Sequence, residues 1–208
     1  MNRNLRISRR SGFTLVELLV VIAIIGLLMG IAVMGLQSIE ARRVDTALRD
    51  VQSKLSQARQ WAITTRQDTC LIIPVGGPTD REDRRSYMLV SGKGNTMTNQ
   101  LSDWNYLPEG VFFDDSSGLE DSVFHAGMQP LTFNFEHASP IPPGAPVRYF
   151  RFNSRGAMTT SDSDLRLYVA EGFREEGGSV TPRDPDERNV IRVRRLTGLA
   201  EIHQYHQN

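Results

Sequence analysis

The sequence predicts an α+β fold: a long N-terminal α-helix, transmembrane in its first half and amphipathic in its second, packed on an antiparallel β-sheet domain. Three observations carry this. An apolar run fills most of residues 13–36, an apolar stripe of helical period follows to about residue 66, and from Gln67 the pattern breaks into short alternating segments bounded by Gly and Pro. Helix first, strands afterwards and no internal repeat together argue one α+β domain behind one helix.

The chain has 208 residues, room for one globular domain besides a membrane segment. Its formal charge is zero, with 24 basic and 24 acidic residues, but the ends are unequal. Residues 1–12 hold Arg3, Arg6, Arg9 and Arg10 and no acid, so the remainder has 20 basic against 24 acidic residues, a net −4. That balance excludes a generic nucleic-acid binder while leaving room for a local basic patch. Cys70 is the only cysteine, so an internal disulfide is excluded and the fold must rest on its packed core.

Residues 1–12 read as a basic leader and residues 13–36 as a membrane-crossing helix. From Leu18 to Leu36, 19 residues carry no charge, close to the roughly 20 that span hydrocarbon. A removable secretory signal is the competing reading. Its small-x-small site, Gly30-Ile31-Ala32, lies inside the apolar run, which favours an anchor. The leader arginines hold the N-terminus in the cytoplasm and send the C-terminal domain across. Gly26 and Gly30 stand in G-x-x-x-G spacing with Gly35 beyond, a weak signal for close helix approach. Glu17 is the exception in this segment. A carboxylate entering hydrocarbon costs about 2.5–3.5 kcal/mol and marks either a headgroup-level position or a partner.

Ser11-Gly12-Phe13-Thr14-Leu15-Val16-Glu17 after a short basic leader resembles the processing site of type IV prepilins and type II secretion pseudopilins. The resemblance implies cleavage by a prepilin peptidase between Gly12 and Phe13, N-methylation of Phe13 to N-methylphenylalanine, and an assembly contact made by Glu17, the fifth mature residue. It also implies a single-pass protein of the bacterial inner membrane with a periplasmic domain, able to move into a pseudopilus or pilus. Its partners are then the prepilin peptidase, other pilin or pseudopilin subunits and an inner-membrane assembly platform. Filament-forming members often carry a proline late in the apolar run; none occurs here between Phe13 and Ile73, which favours a minor component.

Residues 37–66 continue the helix. Val44, Leu48, Val51, Leu55, Ala58 and Ala62 recur at three and four residues, opposite Arg42, Arg43, Asp45, Arg49, Asp50, Lys54 and Arg59. A continuous helix from Phe13 to about Arg66 would be roughly 80 Å long. Trp61 and Ile63 are expected to seal the domain against its end.

Residues 67–208 form the β-rich domain. Strands are predicted at Thr69–Val75, ended by Gly76-Gly77-Pro78, at Tyr87–Val90, closed by Ser91-Gly92-Lys93-Gly94, at Val111–Phe113 and at Leu131–Phe135. Asp80–Arg85 reads as a solvated loop, residues 95–130 as otherwise irregular, and Pro140–Pro146 as a proline-rich loop. Further strands follow at Val147–Asn153, Leu165–Val169, Asn189–Arg195 and Leu199–His203, the last two a hairpin across Thr197-Gly198. Ala58-Arg59-Gln60-Trp61-Ala62-Ile63, then Phe152-Asn153-Ser154-Arg155-Gly156 and Thr197-Gly198, resemble the H-type minor pseudopilins and FimT-like minor pilins. There a long helix leads into two β-sheets.

Candidate chemistry in the domain is sparse. Asp114, Asp115, Glu120 and Asp121, and separately Asp162 and Asp164, are candidate calcium ligands without EF-hand order, so solvated loops are expected. His203 and His206 lack an evident third ligand. Cys70 reads as a buried small hydrophobe. Arg148, Arg151, Arg155, Arg192, Arg194 and Arg195 are a candidate nucleic-acid face, with ordinary solvated strands the plainer reading. No G-x-S-x-G, Walker or H-E-x-x-H pattern occurs, and neither catalysis nor a cofactor is expected. The resemblance favours a minor pseudopilin that assembles into or caps a periplasmic pseudopilus for protein export. A minor type IV pilin at a pilus tip, for adhesion, motility or DNA uptake, is the second reading. A membrane-tethered periplasmic enzyme is the third.

Overall fold

The computed structural model describes residues 15–76, 83–134, 146–174, 180–184 and 187–206, with backbone alone at 30–42, 174, 187 and 204–206. Among the described residues one helix, α1, runs Leu15–Thr65. Eleven strands follow among the described residues: β1 Asp68–Pro74, β2 Ser86–Lys93, β3 Thr96–Gln100, β4 Asn105–Tyr106, β5 Val111–Asp114, β6 Thr132–Phe133, β7 Val147–Phe152, β8 Leu165–Arg174, β9 Val180–Pro182, β10 Glu187–Val193 and β11 Ala200–His206. The chain divides into two compact units, residues 1–41 and 42–208, so the second half of α1 belongs with the strands.

In the first unit the described side chains of α1, Leu15 to Met29, are exposed all round the helix. In the second, the predicted stripe is the buried face. Val44, Ala47, Leu48, Val51, Leu55, Ala58 and Ala62 are all 8 % exposed or less. Each large side chain so buried contributes about 1.5–3 kcal/mol of transfer free energy. The helix ends where Arg66 turns into the left-handed region at φ 56°, a common way to stop an α-helix.

The strands form two sheets. The first is ordered β6-β3-β2-β1-β7, with β4 also on β2; the second is β11-β10-β8-β5, with β9 on β8. Pairings are antiparallel except β3 with β6, where Thr96 and Met97 lie opposite Thr132 and Phe133 in parallel. The main core takes the helix stripe, Leu71, Ile73, Tyr87, Leu89, Phe150 and Phe152 from the first sheet, and Val111, Phe113, Leu165, Leu167, Val169, Ile191 and Val193 from the second. A second cluster, Cys70, Ile72, Met88, Val90, Met97 and Tyr149, fills the other face of the first sheet. That double burial is why β1 reads as an unbroken apolar run.

Several expectations shift. The strand expected at Val111–Phe113 forms as β5, but the rest of residues 95–130 is not simply irregular, since it holds β3 and β4. β2 runs through to Lys93 rather than closing at Ser91. Its Gly92 is a strand residue at a register shift in the β2–β3 pair. There a Cβ would stand 2.0 Å from the carbonyl oxygen of Thr96. Gly94, at φ 61°, makes the turn. β8 continues past Val169 to Arg174. The Thr197-Gly198 hairpin forms, with Val193 opposite Ala200 and Ile191 opposite Ile202. Trp61 does not seal the domain: it is 41 % exposed on the outer side of α1. Gly77, Pro78, Phe135 and most of Pro140–Pro146 lie outside the described residues.

Candidate assembly segment and charged surface

Gly12 and Phe13 lie outside the described residues. Glu17 stands in the first described turn of α1, with an exposed side chain. A carboxylate in the first turn lies where the helix dipole favours negative charge. Around it Leu15, Val16, Leu18 and Leu19 are 81, 69, 62 and 57 % exposed. A helix apolar on every face requires a non-aqueous or protein environment. Among the described residues, no helix is long and apolar enough to cross a membrane.

At its other end α1 is clamped to both sheets. Tyr87 of β2 donates its hydroxyl hydrogen to the carboxylate of Asp50. Gln52 Nε2 donates to the carbonyl oxygen of Ala200 at 2.8 Å, and Arg59 Nε to that of Thr197 at 2.6 Å. Two glycine turns meet there. Gly156 has φ 76°, and a Cβ on it would stand 2.8 Å from Ile63 Cδ1; Gly198 has φ 64°, and its Cβ would stand 2.0 Å from the Gly156 carbonyl oxygen. The Ala58–Ile63 stretch is thus the surface on which both turns close. The signal for this was in the sequence as two glycines, but nothing there paired them.

The candidate acidic ligands are all ion-paired with arginines, Asp162 and Asp164 with Arg195 and Arg192 of the candidate basic face and the others with arginines outside it. Asp114 Oδ2 lies 3.0 Å from Arg188 Nε, with side chains 0 and 9 % exposed. Asp115 meets Arg84 at 2.8 Å, and Arg166 meets Glu120 at 3.1 Å and Asp121 at 3.9 Å. Asp164 Oδ2 lies 2.7 Å from Arg192, while its Oδ1 accepts the backbone N–H of Arg195 at 2.8 Å. Arg195 reaches Asp162 at 3.4 Å, and Arg194 grips Glu201 through Nε and Nη2 at 3.0–3.2 Å. Arg84, Arg166 and Arg188 were not singled out by sequence, because their partners lie far along the chain.

Arg148 and Arg151 belong to β7, in the other sheet from Arg192 on β10. Arg148 Nη1 donates to the Ala126 carbonyl oxygen at 3.4 Å. Arg151 Nη2 donates to Asn95 Oδ1 at 2.8 Å, and its guanidinium stacks 5.2 Å from the Tyr149 ring centre. Arg155 is exposed on the turn after β7. His203 is exposed and 3.5 Å from Glu201, and no group of three potential metal ligands occurs among the described residues.

The electrostatics follow these contacts. The Arg195 backbone N–H, and then Arg192, hold Asp164 below the usual carboxylate range. The hydrogen bond from Arg194 does the same for Glu201. Burial pushes Asp115 up against the pull of Arg84. Burial also pushes the Cys70 thiol up to about 12.

The helix thus joins an exposed apolar N-terminal part carrying Glu17 to a second half held against two sheets. The model of the prokaryotic N-terminal methylation motif matches residues 7–33 of the chain. No curated protein sequence matches it significantly. Among solved structures it is similar to the type IV minor pilin FimU of Pseudomonas aeruginosa, at 10 % identity and TM-score 0.46, over 79 % of this chain and 90 % of that one. It is also similar to the minor pseudopilin EpsH of the Type 2 Secretion System of Vibrio cholerae, at 15 % identity and TM-score 0.40, over 79 % of this chain and 97 % of that one.

Proposed function

We propose that this chain is a minor pseudopilin of a type II secretion system, held in the inner membrane by residues 13–36 and drawn into or onto a periplasmic pseudopilus. The observation that carries the reading is the methylation motif at residues 7–33, with Glu17 set five residues into the mature chain. Cleavage after Gly12 leaves a cationic amine at the membrane edge. A neighbouring subunit's carboxylate at position 17 neutralises it, so two charges costly to desolvate singly are removed together. The reading assigns the domain an assembly role and no catalysis. Partners are the prepilin peptidase, sister pseudopilins and the inner-membrane platform.

The pilus reading rests on the same N-terminus. Its DNA-uptake form needs open cationic groups, and the pairing of Arg192, Arg194 and Arg195 with carboxylates counts against it. Deleting the chain from its host separates the two. Loss of protein export with pili intact supports secretion; loss of pili with export intact overturns it. DNA binding by the purified protein that falls steeply between two salt concentrations would likewise favour uptake.

A further inference from the structure

We propose that two copies of this chain dock head to tail, the end of the β domain where α1 terminates receiving the acidic β8–β9 arm of the next copy. Within residues 42–208, five large apolar side chains are exposed among the described residues: Trp61, Tyr106, Phe173, Leu196 and Leu199. They gather at opposite ends. α1 terminates at Thr65, and pairing brings the last residues of β2 and β7 beside the start of β1, with Asp68 opposite Gly92 and Thr69 opposite Phe152. The Arg59–Thr197 bond draws the β10–β11 turn to the same end. Trp61, Leu196 and Leu199 therefore share it. Tyr106 and Phe173 lie at the other end. Tyr106 pairs with Ser86, where β2 starts, and Phe173 lies near the last residue of β8, whose first residue, Leu165, pairs with Val193 beside the β10–β11 turn. The N–H groups of Leu107 and Phe113 donate to the carbonyl oxygens of Arg85 and Arg84 at 2.7 and 2.9 Å, which joins the two sheets there.

The charges at the two ends are opposite. Where α1 terminates, Arg66, Lys93 and Arg155 are exposed and make no ion pair among the described residues. Arg194 and Arg195 are matched there by Glu201 and Asp162, and Asp68 Oδ2 accepts the Gly94 N–H at 3.2 Å, so the first three supply the excess positive charge. At the opposite end, residues 171–187 contain the last part of β8 and all of β9, and carry six acidic residues against Arg174 and Arg183, a net −4. Glu109 adds to this charge: it is exposed, makes no ion pair among the described residues, and precedes Gly110, whose carbonyl oxygen accepts the Gly172 N–H at 3.0 Å. Clustered exposed apolar side chains mark contact sites, and opposite charges around them set partner and orientation. Both halves of the match stand on one chain, so a second copy is the occupant. Such a contact joins different surfaces and repeats head to tail. It uses nothing of the N-terminal segment, so it and the secretion reading can fail separately.

The test uses the full chain reconstituted in phosphatidylcholine vesicles, with Cys70 left in place because it is fully buried. One preparation carries Leu196→Cys and another Phe173→Cys, both at exposed positions. They are reconstituted singly and together, then treated with a short bismaleimide. The mixture should give cross-linked dimer and each variant alone little. Arg66→Glu with Lys93→Glu in the Leu196→Cys chain should lower the yield about three- to tenfold, the loss expected when one or two exposed ion pairs are reversed. Glu109→Lys with Asp184→Lys in the Phe173→Cys chain should then restore most of it. Circular dichroism confirms that each variant keeps its fold. Equal yield from either variant alone, no dimer from the mixture, or a loss that reversal on the second chain does not restore would overturn the proposal.

Discussion

Arg59 Nε donates to the carbonyl oxygen of Thr197 at 2.6 Å across 138 residues of sequence. This single bond joins the last third of α1 to the turn between β10 and β11. The same turn presses Gly198 onto the Gly156 carbonyl, and Gly156 onto Ile63. Helix, first-sheet turn and second-sheet turn therefore close on one spot. Arg59→Ala should lower stability by about 1–2 kcal/mol, the value of a hydrogen bond plus some lost stem packing. Gly198→Ala should cost more, about 2–4 kcal/mol, because it meets backbone at a left-handed φ. Urea unfolding of the two variants checks the order; a harmless Gly198→Ala would refute the clamp.

The Asp114–Arg188 pair is buried, and removing Asp114 takes away the carboxylate that faces a buried guanidinium. Asp114→Ala should therefore destabilise by about 3–5 kcal/mol. Asp162, whose side chain is fully exposed beside Arg195, should be replaceable by Ala without measurable loss. Equal effects at the two sites, measured by thermal unfolding, would show that burial does not rank these pairs.

Asp164 gives a pH dependence with a definite sign. Its folded pKa lies below its unfolded value, so its stabilisation is present above the unfolded value and is lost as pH falls through the folded one. Asp164→Asn should be less stable than the parent near pH 6, and the difference should shrink as pH falls through the unfolded and then the folded value. Asp115 acts the other way, its raised pKa favouring the folded chain at low pH and that contribution fading as pH rises. A gap between parent and Asp164→Asn that widens in acid would contradict the assignment.

Glu17→Ala should leave membrane insertion intact or improved, since a carboxylate near hydrocarbon is costly. Incorporation into filaments should fail. Fractionation and isolation of sheared filaments read both; normal incorporation would remove Glu17 from the assembly contact.

The helix was legible because Val44 to Ala62 repeats with the period of the structure that buries it. Most strands were legible where one face is apolar, as in β7 and β10. β3 was not: Thr96-Met97-Thr98-Asn99-Gln100 is nearly all polar, and its place depends on the register shift at Gly92. Nor was the charged surface. Asp164 and Arg192 are 28 residues apart and Glu120 and Arg166 are 46 apart, so sequence offered an acidic cluster and a basic face where folding makes ion pairs. Trp61 was misplaced because helical phase near the end of α1 turns it outward.

The central claim is that residues 1–12 are removed and the freed end is methylated for assembly. Intact-mass and N-terminal peptide measurement on the chain isolated from cells with a prepilin peptidase tests this directly. The expected mature protein begins at N-methylated Phe13 and shifts to the unprocessed form when the peptidase is deleted or when Gly12→Asp is introduced. A chain that still begins at Met1 in cells with an active peptidase would contradict it.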